Sequence, residues 1–394
     1  MTISRAVSNT FAKRFRERPL LVRSPARVNL IGEHTDYNMG FVLPAAIDKA
    51  ITFAIAPRPG RVCRVCSLDM HDEHEFSLDE LCTSSKRWPN YLMGVVDQMV
   101  KSGRPLEGFN CVFGGDIPIG AGLSSSAAIA AGLAYALNSL FELGFDELSL
   151  VKLAQRAENS FVGVQCGIMD QYVNIFGAKD HVLRIDCRSL EHRQYPFTFD
   201  VAIVLFDTKV SHSLATSSYN RRHDECSEGA AIIRRSHPHV THLRDVSREM
   251  LQEHSTRIDA TTYRRCAYVI DENQRVLDAC IALEAGNLKL FGQQMFRTHE
   301  GLSRDYEVSC AELDSLVEFV ANDPDVFGAR MMGGGFGGCT INLVAPPGVE
   351  RIIAMVREKY EGRYHRTPEV YVTSLSGGTT LIGAIEHARA SYSI

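Results

Sequence analysis

Four glycines and three consecutive serines lie in the stretch from Gly114 to Ala128, which reads Gly114-Gly115-Asp116-Ile117-Pro118-Ile119-Gly120-Ala121-Gly122-Leu123-Ser124-Ser125-Ser126-Ala127-Ala128. An apolar, strand-like run from Phe109 to Phe113 enters it, and an alanine-rich helical pattern from Ala127 to Leu143 leaves it. Unpaired backbone N–H groups at a helix start, with the positive end of the helix dipole, suit a phosphate. A serine there also caps a plain core helix. One serine suffices as a cap, so three point beyond capping, to phosphate or metal oxygens. The spacing is neither GxxxxGK[ST] nor GxGxxG, which excludes the common P-loop and the dinucleotide fingerprint.

Three further constellations carry polar chemistry. Arg27-Val28-Asn29-Leu30-Ile31-Gly32-Glu33-His34-Thr35-Asp36-Tyr37-Asn38 sets Glu33, His34 and Asp36 within four residues, just after an apolar run. Carboxylates so placed accept hydroxyl hydrogen bonds and suit a polyol, whereas so tight a turn brings few ligands to one metal. A polar hairpin turn fits the same residues. Arg27 is a cation able to offset phosphoryl charge. Further on, Glu158 and Asp170 flank a loop containing Gly163 and Gly167. One could hold Mg²⁺ and the other act as base, or Asp170 could simply favour a helix N-terminus; the spacing leaves both open. Gly333-Gly334-Gly335-Phe336-Gly337-Gly338-Cys339 implies positive φ or close backbone approach to a ligand or a packed element. Trp88, the single tryptophan, could stack on a flat ring or anchor the core.

A short helix over Ser8–Phe15 precedes strand-like runs at Leu20–Arg23, Val28–Ile31, Phe41–Ala56 and Arg61–Ser67. A helix starts at Pro89-Asn90 and stops at Gly103. Helical patterns over Ala127–Leu143, Glu147–Phe161 and Ile168–Phe176 follow, then strands at His181–Ile185 and Val201–Phe206. Longer helices over Thr216–Arg235, Thr261–Ala285, Asn287–His299 and Ala311–Val320 mark a second half. That half ends with strands at Cys339–Leu343 and Val370–Val372 around a Val349–Tyr360 helix. The change of texture near residues 190–200 predicts two domains, 1–195 and 196–394, with the last residues packing back on the first.

Composition narrows the class. At 394 residues, with 45% hydrophobic and 23% charged residues, two globular domains are expected. The formal net charge of −5 speaks against a nucleic-acid binder. Met1–Arg18 has no apolar core, so it is not read as a signal peptide, and no run reaches the ~18 apolar residues of a membrane helix. Eleven cysteines, an odd number scattered through core-like segments, suit reduced thiols in a cytosol. Cys63 and Cys66 form a lone CxxC in an alternating strand-like segment, which argues against structural zinc. His71, His74, His237, His239 and His242 read as solvated loop residues.

With these residues in view, the chain resembles the galactokinases of the GHMP kinase superfamily. The three superfamily motifs occur in order as Arg27–Asn38, Gly120–Ala128 and Gly333–Cys339. Similarity also covers Arg87-Trp88-Pro89-Asn90-Tyr91, Gly167-Ile168-Met169-Asp170-Gln171, Ile185-Asp186-Cys187-Arg188-Ser189-Leu190 and Arg304-Asp305-Tyr306-Glu307-Val308-Ser309-Cys310, so it spans nearly the whole chain.

The resemblance implies a two-domain α+β fold with the active site in the cleft. The N-terminal domain would carry a mixed sheet, helices and a rare left-handed βαβ crossover, and the C-terminal domain would be helix-rich. It implies transfer of the ATP γ-phosphate to the C1 hydroxyl of D-galactose, with Mg²⁺ as cofactor, by a cytoplasmic monomer with no nucleic-acid or membrane partner. Asp170 would be the catalytic aspartate and Arg27 its partner. Glu33, His34, Asp36, Gly167 and Tyr219 would bind the sugar, and Ser126 and Glu158 the metal. Gly120, Ala121, Gly122, Leu123, Ser124, Ser125 and Ser126 would wrap the phosphates, with Trp88 along the adenine. A related kinase acting on N-acetylgalactosamine, or a non-catalytic galactose and ATP sensor, are the alternatives; the intact Ser126-Ala127 pair favours catalysis. Two positions depart from the family pattern: Ala26 stands where glycine is usual, and Met332 where threonine is common. Both bear on affinity, Ala26 only if its position needs positive φ.

Overall fold

The computed structural model describes residues 2–118, 120–210 and 215–382. The first half of the chain runs α1 (Ile3–Phe15), β1 (Leu20–Asn29), β2 (Phe41–Val42), β3 (Pro44–Pro57), β4 (Val62–Ser67) and β5 (Asp72–Ser77). Then come α2 (Trp88–Lys101), β6 (Phe109–Gly115), α3 (Ser125–Leu140), α4 (Glu147–Ala157), α5 (Met169–Phe176), β7 (His181–Asp186) and β8 (Glu191–Pro196). The second half has β9 (Ala202–Asp207), α6 (Ala215–Arg234), α7 (Arg248–Glu253), α8 (Ala260–Glu284), α9 (Leu288–Arg304) and α10 (Ala311–Val320). It closes with β10 (Val326–Met331), β11 (Cys339–Val344), α11 (Val349–Tyr364), β12 (Glu369–Thr373) and β13 (Thr380–Leu381).

The strands form three sheets, ordered β13-β1-β3-β6-β4-β5, β10-β11-β9-β12 and β2-β7-β8. The first sheet is mixed because β4 and β6 are parallel, with β5 and α2 lying between them in the chain. Helices α3 and α5 pack on it through Ala130, Ala131, Ala134, Leu137, Tyr172 and Val173, all buried in one large cluster. Alanine on α3 lets the helix sit close to the strands, and Gly132 is needed there: a Cβ would come 2.6 Å from Ser24 and Phe53. The same cluster continues through Leu205, Phe291 and Ile341, so the two halves share packing. A second apolar layer, with Val204, Phe206, Leu316 and Val356, joins α10 and α11 to the β9–β12 sheet.

The C-terminal segment returns to the first sheet. Strand β13 pairs with β1, and Thr379 Oγ1 donates to Asn174 Oδ1 at 2.6 Å beside a buried Ser24. Residues 383–394, also included in the expected packing back, lie outside the described residues, as does Ile119 of the glycine–serine stretch.

The elements differ from the expected pattern in instructive places. Helix α1 begins at Ile3 rather than Ser8, since Val7 as well as Phe11 is buried. The predicted Glu147–Phe161 helix ends at Ala157 and widens into a π turn over Glu158–Val162. Strands β5 and β8 are edge strands of polar sequence, DEHEFS and EHRQYP, and their charges hide the alternation that marks a strand. His74, expected in a loop, lies on β5. Cys63 and Cys66 sit on β4, one buried and one half-buried, and all eleven cysteines are free. No helix among the described residues is long and apolar enough to cross a membrane.

Candidate active site

A cavity of about 400 Å³ opens where the ends of β1, α3, α5, α6 and the β10–β11 loop converge. It is lined by Arg27, Glu33, His34, Asp36, Glu158, Gly167, Asp170 and Tyr219. Gly120, Gly122, Leu123, Ser124, Ser125 and Ser126 form another wall. Residues from all three motifs thus meet in one place. Ala121 and Trp88 stand outside the lining. Ala121 is fully buried. The Trp88 indole packs 5.8 Å from Phe113 and donates from Nε1 to Asp72 Oδ2 at 3.0 Å, while Tyr91, on the same face of α2, reaches the cavity.

The glycine–serine stretch does not simply cap α3. Ser124 occupies the cap position with φ 57° and makes no capping hydrogen bond. A non-glycine residue in the left-handed region is strained, and such strain concentrates at functional sites. Its hydroxyl instead donates to Asp170 Oδ2. Gly120 and Gly122, at φ 83° and 73°, allow the turn that brings the chain around the cavity.

Asp170, in the first turn of α5, is held by Arg27 through two parallel bonds, Nε to Oδ1 and Nη2 to Oδ2, both 2.7 Å. Arg27 Nη1 donates to Gly122 O at 2.8 Å, which ties this pair to the glycine–serine turn. A register shift in β1 between Pro25 and Arg27 redirects the arginine toward the cavity. Ala26 lies in that strand without positive φ, so the departure from glycine costs no backbone strain. Met332 is buried in the core.

Glu158 sits in the π turn, a distortion that recurs at functional sites. Burial raises its carboxyl, partly offset by the Gln171 amide at 2.7 Å and increased again by the Asp170 charge, to about 7. The Ser126 hydroxyl lines the same cavity and also eases that shift. Two oxygen donors beside a phosphate-sized turn fit a hard divalent cation.

The sugar-type motif is clamped from both halves. Gly32 and Glu33 donate their backbone N–H groups to Glu272 Oε1 of α8, and Asn273 Oδ1 accepts from Phe41 N at 2.8 Å. Gly32 has φ 90°, and a Cβ there would meet Phe41 O at 2.7 Å. Glu33 Oε2 accepts from Arg330 Nη1 at 2.8 Å and from Gly333 N at 3.0 Å, leaving the other oxygen for a ligand. Burial, with the Arg222 charge adding to it, lowers His34 to about 3, so the ring is neutral. Its Nδ1 lies 2.8 Å from Tyr37 Oη, and its buried Nε2 has no hydrogen-bond partner among the described residues. An unsatisfied ring nitrogen in a cavity wall suits a ligand hydroxyl. The Tyr219 ring lies tilted, 5.4 Å from that of His34, and a Cβ on Gly334 would press on it at 3.3 Å. Gly167 is demanded by Asp36, whose Oδ2 would lie 1.9 Å from an added Cβ.

Burial, reinforced by the Asp170 charge, raises Asp36 to about 7. The unfolded chain releases this proton near pH 4 while the folded protein keeps it. Stability from Asp36 is therefore complete below pH 4 and is lost as pH rises toward 7. Asp36→Asn is expected to raise the melting temperature of the ligand-free protein at pH 8 and leave it unchanged at pH 4. Thermal unfolding across that range checks this, and a variant no more stable at pH 8 refutes it.

Sequence reasoning missed Arg330, Glu272 and Asn273 and gave Tyr91 no role. The first three lie outside the motifs, and Arg330 is in a strand, β10, that its own charge disguises.

Residues 9–57 match the galactokinase galactose-binding signature, 90–178 the N-terminal domain of GHMP kinases, and 279–362 their C-terminal domain. A galactokinase from Roseiflexus sp. (strain RS-1) is 43% identical over 359 residues, covering 91% of this chain and 92% of that one. A galactokinase from Chloroflexus aggregans is 41% identical over 367 residues, with 93% and 94% covered. The crystal structure of Lactococcus lactis galactokinase complexed with galactose superposes with a TM-score of 0.92 at 34% identity, covering 96% of this chain and all of that one. Mevalonate kinase from Methanococcus jannaschii, at 18% identity and TM-score 0.65, shares the fold, covering 92% of this chain and all of that one.

Proposed function

The chain belongs to the galactokinase family and is an ATP-dependent sugar kinase, and on that premise we propose that it phosphorylates D-galactose at the C1 hydroxyl. One observation carries the assignment of roles. The Asp170–Arg27 pair stands between the glycine–serine turn and the Glu33–Asp36 motif, where a nucleotide phosphate and a sugar would meet. Glu33 through its free oxygen, His34 through Nε2, and Asp36 receive the sugar hydroxyls, with Tyr219 and the Gly167 backbone closing the site.

Asp170 orients the C1 hydroxyl and takes its proton as the C1 oxygen bonds to the γ-phosphorus. The bond from that phosphorus to the bridging oxygen breaks, and ADP leaves. Arg27, charged and bonded to Gly122 O, offsets the developing phosphoryl charge. Backbone N–H groups from Gly120 to Ser126 cradle the phosphates, and Ala121 and Leu123 contribute only main chain because their side chains are buried. Adenine lies along α2 against Tyr91 and the half-buried Trp88. Ser126 and Glu158 would hold Mg²⁺, which would neutralise charge on the ATP phosphates; their oxygen-only donor set fits it. Positioning and electrostatics supply most of the rate, as phosphoryl transfer asks little covalent work of the protein.

Division at 195/196 stands with this proposal, supported by the change of sheet between β8 and β9. So do a cytoplasmic location, supported by the buried free thiols, and a monomeric state. ADP release measured over a panel of sugars tests the function. D-galactose is expected to turn over fastest. Turnover with N-acetylgalactosamine but not galactose overturns the substrate, and binding of both substrates without ADP overturns catalysis.

A further inference from the structure

Away from the cavity, at the far end of α6, the chain Ser236-His237-Pro238-His239 turns back toward the C-terminus of α7. There His237, Glu253 and His254 bring one donor atom each to within 4.8 Å of one another. His237 Nε2 is 3.2 Å from Glu253 Oε2, close to the ~3.3 Å edge expected of a tetrahedral zinc site with bonds of about 2.0–2.1 Å. The His254 ring is buried and lies 5.5 Å from the His237 ring.

Two features separate this cluster from histidines merely sharing a surface. His254 Nδ1 donates to Met250 O at 2.8 Å, which fixes the proton on Nδ1 and leaves the Nε2 lone pair for a ligand. This outer hydrogen bond is the one metal-ligating histidines commonly make. The backbone is also held on both sides. His237 N donates to Ile233 O at 3.0 Å and His237 O accepts from Val240 N at 2.9 Å, while His254 O accepts from Ile258 N at 3.1 Å. Ligands on such fixed backbone need only side-chain adjustment to converge.

We propose that His237, Glu253 and His254 form a transition-metal site of the zinc class, separate from the phosphate-side cation site. Two imidazoles and one carboxylate suit Zn²⁺ and its neighbours, and not Mg²⁺ or Ca²⁺, which prefer oxygen. Water or His239, whose ring is 6.1 Å from His237, completes the coordination. The metal staples the end of α6 to α7.

The full chain, stripped with chelator and dialysed against Zn²⁺ in excess Mg²⁺, tests this. The wild type is expected to retain one equivalent more zinc than H237Q or E253Q, and zinc is expected to raise its melting temperature but not theirs. His237 and Glu253 are partly exposed, so both variants should melt with the wild type when metal-free; if one does not, the other carries the comparison. Equal zinc content in wild type and variants, or the same zinc-induced rise in all three, overturns the site.

Discussion

Asp170→Asn is expected to lower kcat by about 10²–10⁴-fold, the range contributed by a positioned proton acceptor, while ATP affinity stays near the wild-type value. Asparagine keeps the shape and one acceptor oxygen but loses the charge and the second bond from Arg27. Oxygen Oδ1 can still receive Arg27 Nε, so the guanidinium stays near Gly122 O. The amide nitrogen that replaces Oδ2 would face Arg27 Nη2, donor against donor, and would also meet the Ser124 hydroxyl. Part of the loss would then arise from a displaced Arg27 rather than from proton transfer. Measuring kcat by ADP release, ATP binding by calorimetry and galactose KM separates these. A fall in kcat with ATP binding intact supports the assigned role. A kcat within tenfold of wild type removes Asp170 from the chemistry.

What the sequence disclosed and what it concealed divide by chain distance. Arg27–Asn38, Gly120–Ala128 and Gly333–Cys339 are each local, so residue type and spacing suffice to mark them, and the resemblance supplied their roles. The supports come from afar. Glu272, fully buried, receives the amides of Gly32 and Glu33 across some 240 positions, and no periodicity announces such a partner. Asn273 looks like an ordinary helix residue, yet its Oδ1 would lie 2.2 Å from a Cβ at Gly40, which is why glycine stands there. The π turn at Glu158 is equally silent, because the sequence continues a helical pattern while the backbone widens to place a carboxylate beside Ser126. Strands fail to declare themselves where charge breaks the alternation, at the edges β5 and β8 and, for a different reason, at β10. There a fully buried arginine occupies the strand, and burial of a charge is what sequence reading takes as evidence against a core.

That arginine gives the second large effect. Arg330 is completely buried and donates to Leu30 O at 2.9 Å, to Met331 O at 2.6 Å, to Asn29 O, and to Glu33 Oε2. It therefore fastens β10 to the end of β1 and holds the sugar-type motif in register with the third motif. Arg330→Met is expected to destabilise the protein by about 3–5 kcal/mol, the usual cost of orphaning a buried partner of an ion pair. Three carbonyls lose their donor as well, and Glu33 retains only the Gly333 amide. The orphaned carboxylate should dominate, so adding Glu33→Gln to Arg330→Met is expected to recover part of the loss even though Glu33→Gln alone destabilises. Urea unfolding of the wild type, both single variants and the double variant measures that coupling. Galactose KM should rise in Arg330→Met while the affinity for ATP holds, since Glu33 is released and the glycine–serine turn is not. If Arg330→Met unfolds at the wild-type urea concentration, or if the double variant is no more stable than Arg330→Met, the buried pair does not organise the site.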